Sequence, residues 1–207
     1  MRTRMTSDER RAAIVASAIH LFAEKGFRGT TTRELAAALG VTEPVLYQHF
    51  ATKSDLYDAI MEAKVAAGLR HAEDLAERVE YSDDRAFFTR LAELILESHY
   101  DDPEFIRLLL YSALEGHELA ERFYETHVVR FHEMVTGYIR RRIREGAFRD
   151  ANPSAAAHSF VGMVGHHAMH ELLFSAHAGK SARRNKKLIE DVVTIFLDGI
   201  HSNGAPK

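Results

Sequence analysis

Apolar residues recur every three or four positions along nearly the whole chain, and no stretch alternates in the way of a half-buried strand. This periodicity confines the chain to an all-α fold, because each apolar stripe has to be buried against another helix. Start and stop signals then divide the pattern. A first helix is predicted from about Ser7 or Asp8 to Lys25, with Ile14, Ala18, Leu21 and Phe22 on one face and Gly26 as its stop. The stretch "TTRELAAALG" predicts a short helix capped near Thr31, with Glu34 completing a capping box and Gly40 ending it. Thr42 caps a third helix, and Pro44 sits in its first turn, where a missing amide costs little.

Beyond this module the same signals predict a helix from Lys53 or Ser54 into the Leu75 region and another from Ser82 through Tyr100. Asp102 and Pro103 open one that reaches about Leu114, and Glu118 to Glu145 reads as one long amphipathic helix. Asn152 and Pro153 cap a helix reaching about Ala176, and a last one runs from about Arg183 to His201. The total is about nine helices.

A chain of 207 residues with 46% hydrophobic content buries a sizeable core. The absence of cysteine excludes a disulfide framework, thiolate metal sites and a cysteine nucleophile. The first residues contain no apolar run with a cleavage site, and no window holds the roughly 18 uninterrupted apolar residues of a membrane span. The expectation is a cytoplasmic protein with no membrane contact. Net charge is only -3, but residues 1–57 carry eight Lys/Arg against six Asp/Glu, while the remainder carries nineteen against twenty-four. The asymmetry is modest and has the sign of an N-terminal nucleic-acid module.

The first three helices, the last two joined by a short glycine-containing turn, form a helix-turn-helix candidate. Leu35, Ala36 and Leu39 are expected to pack on Val41, Leu46 and Phe50, the last two lying four apart on one face of the third helix. Thr42, Glu43, Val45, Tyr47, Gln48 and His49 are left on or beside the outer face. Such a set suits a major groove, where base edges offer donors, acceptors and the thymine methyl.

The segment "IHLFAEKGFRGTTTRELAAALGVTEPVLYQHFATKSDLYDAI" resembles the tetracycline-repressor (TetR) family of one-component transcriptional regulators. The likeness lies in the Phe-x-x-x-Gly-Phe end of helix one, the Thr-Thr-x-x-Leu-Ala opening, the Gly-Val-Thr turn, the Leu-Tyr-x-His-Phe signature and the lysine that follows. It is dense over about residues 10 to 60. The resemblance implies a homodimer on double-stranded, palindromic operator DNA. It assigns Thr31, Thr42, Tyr47, His49 and Lys53 to backbone phosphates, with Thr32 beside them, and Arg33 to a guanine, whose O6 and N7 suit the guanidinium fork. Glu43, Pro44, Val45 and Gln48 match the variable base-facing positions. Gln48 suits adenine and Val45 a thymine methyl, while Glu43 either accepts from a cytosine amino group or serves as favourable charge at the helix N-terminus. The leading "MRTR" reads as a terminus rather than a minor-groove arm.

The resemblance also implies that residues 1–53 are the DNA-binding domain and residues 54–207 an effector-binding and dimerisation domain. The middle helices carry nine of the nineteen aromatic residues, and a pocket for a small apolar or amphipathic effector is expected among Phe88, Phe105, Tyr111, Phe123, His127, Phe131 and His167. His99, Glu115 and His132 are further polar candidates. In the family the last two long helices pair with their copies; here Phe160, Val164, Leu188, Val192, Ile195 and Phe196 are the candidates for that interface or for the core beneath it.

His166 and His170, four apart, have ligand spacing, but His-x-x-His-Glu matches neither zincin order, so no metal is expected. No P-loop, nucleophile elbow or dinucleotide fingerprint is present, so neither catalysis nor a cofactor is expected. The reading is a ligand-responsive regulator, a repressor in preference to an activator. The alternative is an all-α ligand- or metal-binding protein that keeps the fold and no longer binds DNA.

Overall fold

A computed structural model describes residues 6–60, 62, 83–174 and 182–201. The elements are α1 (Ser7–Gly29), α2 (Thr32–Ala38), α3 (Glu43–His49), α4 (53–60), α5 (Asp84–Tyr100), α6 (Pro103–Leu114), α7 (Glu118–Phe123), α8 (Val129–Arg144), α9 (Pro153–Phe174) and α10 (Ala182–Ile200). Among the described residues the one strand-like feature is an isolated bridge between Phe148 and His201, so the all-α expectation holds. No helix among them is long and apolar enough to cross a membrane. The expected run of α4 towards Leu75, the start at Ser82, the end at Ala176 and the leading "MRTR" lie outside the described residues.

Local chemistry accounts for the helix boundaries. Thr6 caps α1 in a capping box with Glu9, slightly ahead of the expected Ser7 or Asp8. Gly26 breaks α1 at φ 72, ψ 176, in the left-handed half of the map where a Cβ is penalised. Asp83 caps α5 by accepting from the Ala86 amide, and the Asn152 side chain accepts from Ser154 and Ala155 at the head of α9. One expectation fails. Glu118 to Glu145 is not a uniform α-helix, because Tyr124–Val128 forms a π turn between α7 and α8. A π turn takes in an extra residue and resets the helical phase, which a steady apolar period in the sequence does not announce.

The chain forms two compact units, one of residues 1–67 with 103–124, the other of residues 68–102 with 125–207. In the first, Ile14, Phe22, Leu35, Leu46, Phe50, Leu56 and Tyr57 share a core with Phe105 and Leu108 of α6. Tyr57 is fully buried, lies edge-on to Phe22 at 5.0 Å, and gives its hydroxyl to the Leu108 carbonyl at 3.4 Å. Burial pushes that phenol up to about 12. The head of the molecule thus includes helices that follow the three-helix motif by some fifty residues.

In the second unit Phe88 packs against Phe160 and Phe196, each at 4.8 Å between ring centres, and Phe87 stacks on Tyr138 at 3.7 Å. The half-buried pair of Asp84 and Arg142, at 2.7 Å, takes the Tyr138 hydroxyl as a third member at 2.7 Å. Phe160, Val164, Val192 and Phe196, expected at a subunit interface, are 0%, 1%, 9% and 8% exposed and fill this protomer's own core. Helical periodicity puts them on the inward stripe. Leu188 is half-buried against the same core, while Ile195 is 65% exposed and faces outward.

Candidate nucleic-acid interface

The turn between α2 and α3 is closed by backbone geometry. The Val41 amide donates to the Ala36 carbonyl and the Gly40 amide to that of Ala37, the paired bonds of a Schellman motif, with Gly40 at φ 63. Leu46 and Phe50, each 3% exposed, then anchor α3 from below. The Arg11 guanidinium lies 4.6 Å over the Phe50 ring and ties α1 to the end of α3. The opposite side of α3 is left open.

The predicted contact residues divide according to whether the protein already uses them. Arg33, Thr42, Pro44, Tyr47 and Gln48 are exposed, and the side chains of Arg33, Thr42, Tyr47 and Gln48 have no hydrogen-bond or ionic partner among the described residues. Val45 and His49 are half-buried beside them. The two N-cap threonines differ. Thr31 closes a capping box, its hydroxyl 2.9 Å from Glu34 Oε2, whereas Thr42 makes no side-chain cap bond and keeps its hydroxyl outward. The Lys25 ammonium, then the Thr31 amide and hydroxyl, hold the Glu34 carboxyl down to about 2, so α1 and α2 are joined through a carboxylate ionised at neutral pH.

Besides Thr31, three of the candidates are engaged inside the protein. The Thr32 hydroxyl donates to Glu43 at 2.8 Å. Lys53 gives its ammonium to the carbonyls of Phe27 at 2.5 Å and Thr30 at 2.8 Å and lies 4.1 Å from the centre of the Phe27 ring. Burial draws its pKa below the ordinary lysine value, opposed by the nearby charge of Glu115. At least two of the three Lys53 donors are therefore occupied by the protein. The partners of Lys53 are 23 and 26 residues away in sequence, so helical spacing gives no sign of them.

The residues proposed for an effector fall in both compact units. In the first, Phe105 is buried and meets Phe123 edge-on at 5.7 Å, and the Tyr111 hydroxyl donates to the Glu24 carbonyl at 3.3 Å. In the second, Phe88 is core, Phe131 packs half-buried against that core, and His127 and His167 are half-buried. The buried Nδ1 of His132 and Nε2 of His167 have no hydrogen-bond partner among the described residues. His166 and His170 are exposed on α9, and no group of three or more metal-ligating side chains occurs among the described residues.

A family model described as "Bacterial regulatory proteins, tetR family" matches residues 14–60, and one described as "AefR-like transcriptional repressor, C-terminal domain" matches residues 85–199. The transcriptional activator FasR of Mycolicibacterium smegmatis is 38% identical over 72 residues, 33% of each chain. The class C tetracycline repressor protein of Escherichia coli is 42% identical over 62 residues, 30% of this chain and 28% of that protein. The chain spans about a third of the length of these curated relatives. AibR, solved in complex with isovaleryl coenzyme A and operator DNA, shares the fold with a TM-score of 0.70 over 90% of this chain and 97% of that one, at 20% identity. Two family models matched in order, one over the head and one over more than half of the chain, place this protein in the TetR family of transcriptional regulators.

Proposed function

We propose that the protein is a homodimeric repressor that binds palindromic operator DNA through residues 1–53 and is released by a small apolar or amphipathic effector bound by residues 54–207. The observation that carries this reading is the outward set Arg33, Thr42, Tyr47 and Gln48, whose side chains have no hydrogen-bond or ionic partner among the described residues, on helices anchored by Leu35, Leu46 and Phe50. Arg33 and Gln48 carry the donors and acceptors that read base edges. Thr42, Tyr47 and His49 offer groups for phosphates, which set register without reading sequence. Repression in preference to activation is supported by the description of the family model matched over residues 85–199.

Dimerisation is supported by α9. Its buried stripe includes Phe160, Val164 and Leu172, yet its exposed residues include Ala155, Ser159, Gly162 and Leu173 with His158, His166 and His170, and no Asp, Glu, Lys or Arg. A helix weakly polar on its open side suits cover by a second copy, with Ile195 of α10 adding apolar area. Effector binding is supported by the half-buried Phe131 and by the unpartnered nitrogens of His132 and His167, since buried polar atoms are normally satisfied. A protein with this role works in the cytoplasm.

The test is a salt titration of the full chain against palindromes from its own upstream region. Affinity should fall steeply with salt, and Arg33→Ala and Tyr47→Ala should each weaken binding. Binding indifferent to salt and to both substitutions would leave the alternative, a ligand-binding protein of this fold with no operator.

A further inference from the structure

Beyond the Gly26 break, the end of α1 and its link to α2 carry backbone groups that bond to side chains outside both helices. After Gly26 breaks α1, the amides of Phe27 and Arg28 both turn to one carboxylate, that of Glu115. Phe27 donates to its Oε2 at 3.1 Å, and Arg28 reaches both oxygens at 3.3 Å. The Arg28 side chain returns to the Glu115 carbonyl at 3.1 Å. The carbonyls of the same connection go to the Lys53 ammonium. An anion therefore takes the donors and a cation the acceptors. Charge-assisted bonds of this kind are stronger than neutral ones.

The approach is close enough to dictate residue type. A Cβ on Gly26 would lie 2.5 Å from Glu115 Oε1 and 3.1 Å from Tyr111 Cδ1. Glu115 is 88 residues from Phe27 in sequence and follows α6, whose Phe105 and Leu108 already belong to the core of the head. His117, just beyond, packs 4.4 Å from the Phe27 ring and 4.9 Å from that of Tyr57. The far end of the connection is Thr31, the cap of α2, followed by Thr32 and Arg33.

We infer that Glu115 is a positioning residue for operator recognition. It fixes residues 27–30, hence the start of α2 and the place of Arg33, and through the bond from Thr32 to Glu43 the first turn of α3, without itself touching DNA. The inference rests on the operator-binding reading and adds to it a determinant outside the helix-turn-helix. It also predicts that a residue just beyond α6, and not α1 to α3 alone, governs how the reading helices are held.

The test uses the full chain as wild type, Glu115→Gln, Glu115→Ala and, as a control for stability, Leu108→Ala in the same core. Amide hydrogen exchange is followed without DNA, and operator affinity is measured across salt well below every melting temperature. Glu115→Ala should speed exchange at Phe27 and Arg28 and weaken operator binding about tenfold, with the salt slope and preferred sequence unchanged, because no phosphate or base contact is removed. Glu115→Gln, which keeps one acceptor oxygen, should fall between. Leu108→Ala should lower the melting temperature while keeping both loop protection and affinity. Unchanged exchange at Phe27 and Arg28 would overturn the inference, and so would an equal loss of affinity in Leu108→Ala. A wild type that binds no palindrome would instead sink the operator reading, and the exchange data would still judge the hold of Glu115 on the loop.

Discussion

The Thr32 hydroxyl donates to the Glu43 carboxylate at 2.8 Å, joining the first turn of α2 to the first turn of α3. This bond gives Glu43 a partner inside the protein, where the sequence alone left it between reading a base and steadying the helix. A carboxylate on a DNA-facing surface is repelled by phosphates unless a donor holds it, and Thr32 supplies that donor. Glu43→Ala is expected to lower stability by about 0.5–1.5 kcal/mol, read as a drop in melting temperature, and to leave the preferred operator unchanged. Selection of operators from a random pool checks the second part. A changed preference at one base position with no loss of stability would make Glu43 a reader after all.

Gln48 and Thr42 are both exposed, with side chains unpartnered among the described residues, yet their chemistry predicts different failures. Gln48→Ala should remove about 1–3 kcal/mol of discrimination at one base position and leave affinity for unrelated sequences almost intact. Thr42→Ala should weaken every sequence alike, by less than about tenfold, because a hydroxyl bond to a phosphate carries no sequence information. Binding arrays with each variant separate the two, and an exchange of these patterns would reverse the assigned roles.

The helix-turn-helix was legible because its determinants are local. Thr31 and Glu34 lie one turn apart, Leu46 and Phe50 share a face, and Gly40 marks its own turn. The sequence reads Lys53 as a phosphate contact and Glu115 as a polar candidate for an effector, and gives no sign of their bonds inside the protein. Their partners on residues 27–30 come from helix packing, which no period in the sequence encodes. For the candidates on α9 and α10 the sequence leaves interface and core open for a related reason. Phe160 and Val192 satisfy the apolar period equally well as core or as interface, and only the packed structure shows that the inward stripe is already used. The π turn at Tyr124–Val128 escaped because its residues have no distinctive composition.

His132 stacks on His158 at 4.0 Å with the rings 18° apart. Burial first, and His158 second, hold the His132 pKa below its ordinary value of 6.5. The unfolded chain therefore takes up this proton at a higher pH than the folded one. Stability from this group is present above about pH 6.5 and is lost as the pH falls from there towards the folded pKa. His99 and His127 are shifted in the same direction, chiefly by burial, and add to the slope. Melting temperature should fall between about pH 7.5 and 5.5, and fall less in His132→Phe. An identical slope in that variant would remove His132 from the account.

Ile195 and Phe160 provide the sharpest contrast between assembly and core. Phe160 is fully buried within one protomer, so Phe160→Ala should cost about 3–5 kcal/mol of stability through the cavity it leaves. Ile195 is 65% exposed in one protomer, so Ile195→Asp should cost the isolated fold little. If the open sides of α9 and α10 meet a second copy, the same change buries an unpaired charge at the contact and shifts the chain from dimer to monomer in sedimentation. Operator affinity should fall with it, because a two-fold site spaced at about 34–36 Å between half-sites requires two linked heads. A variant that stays dimeric and binds operator as before would place the subunit contact elsewhere on the protein.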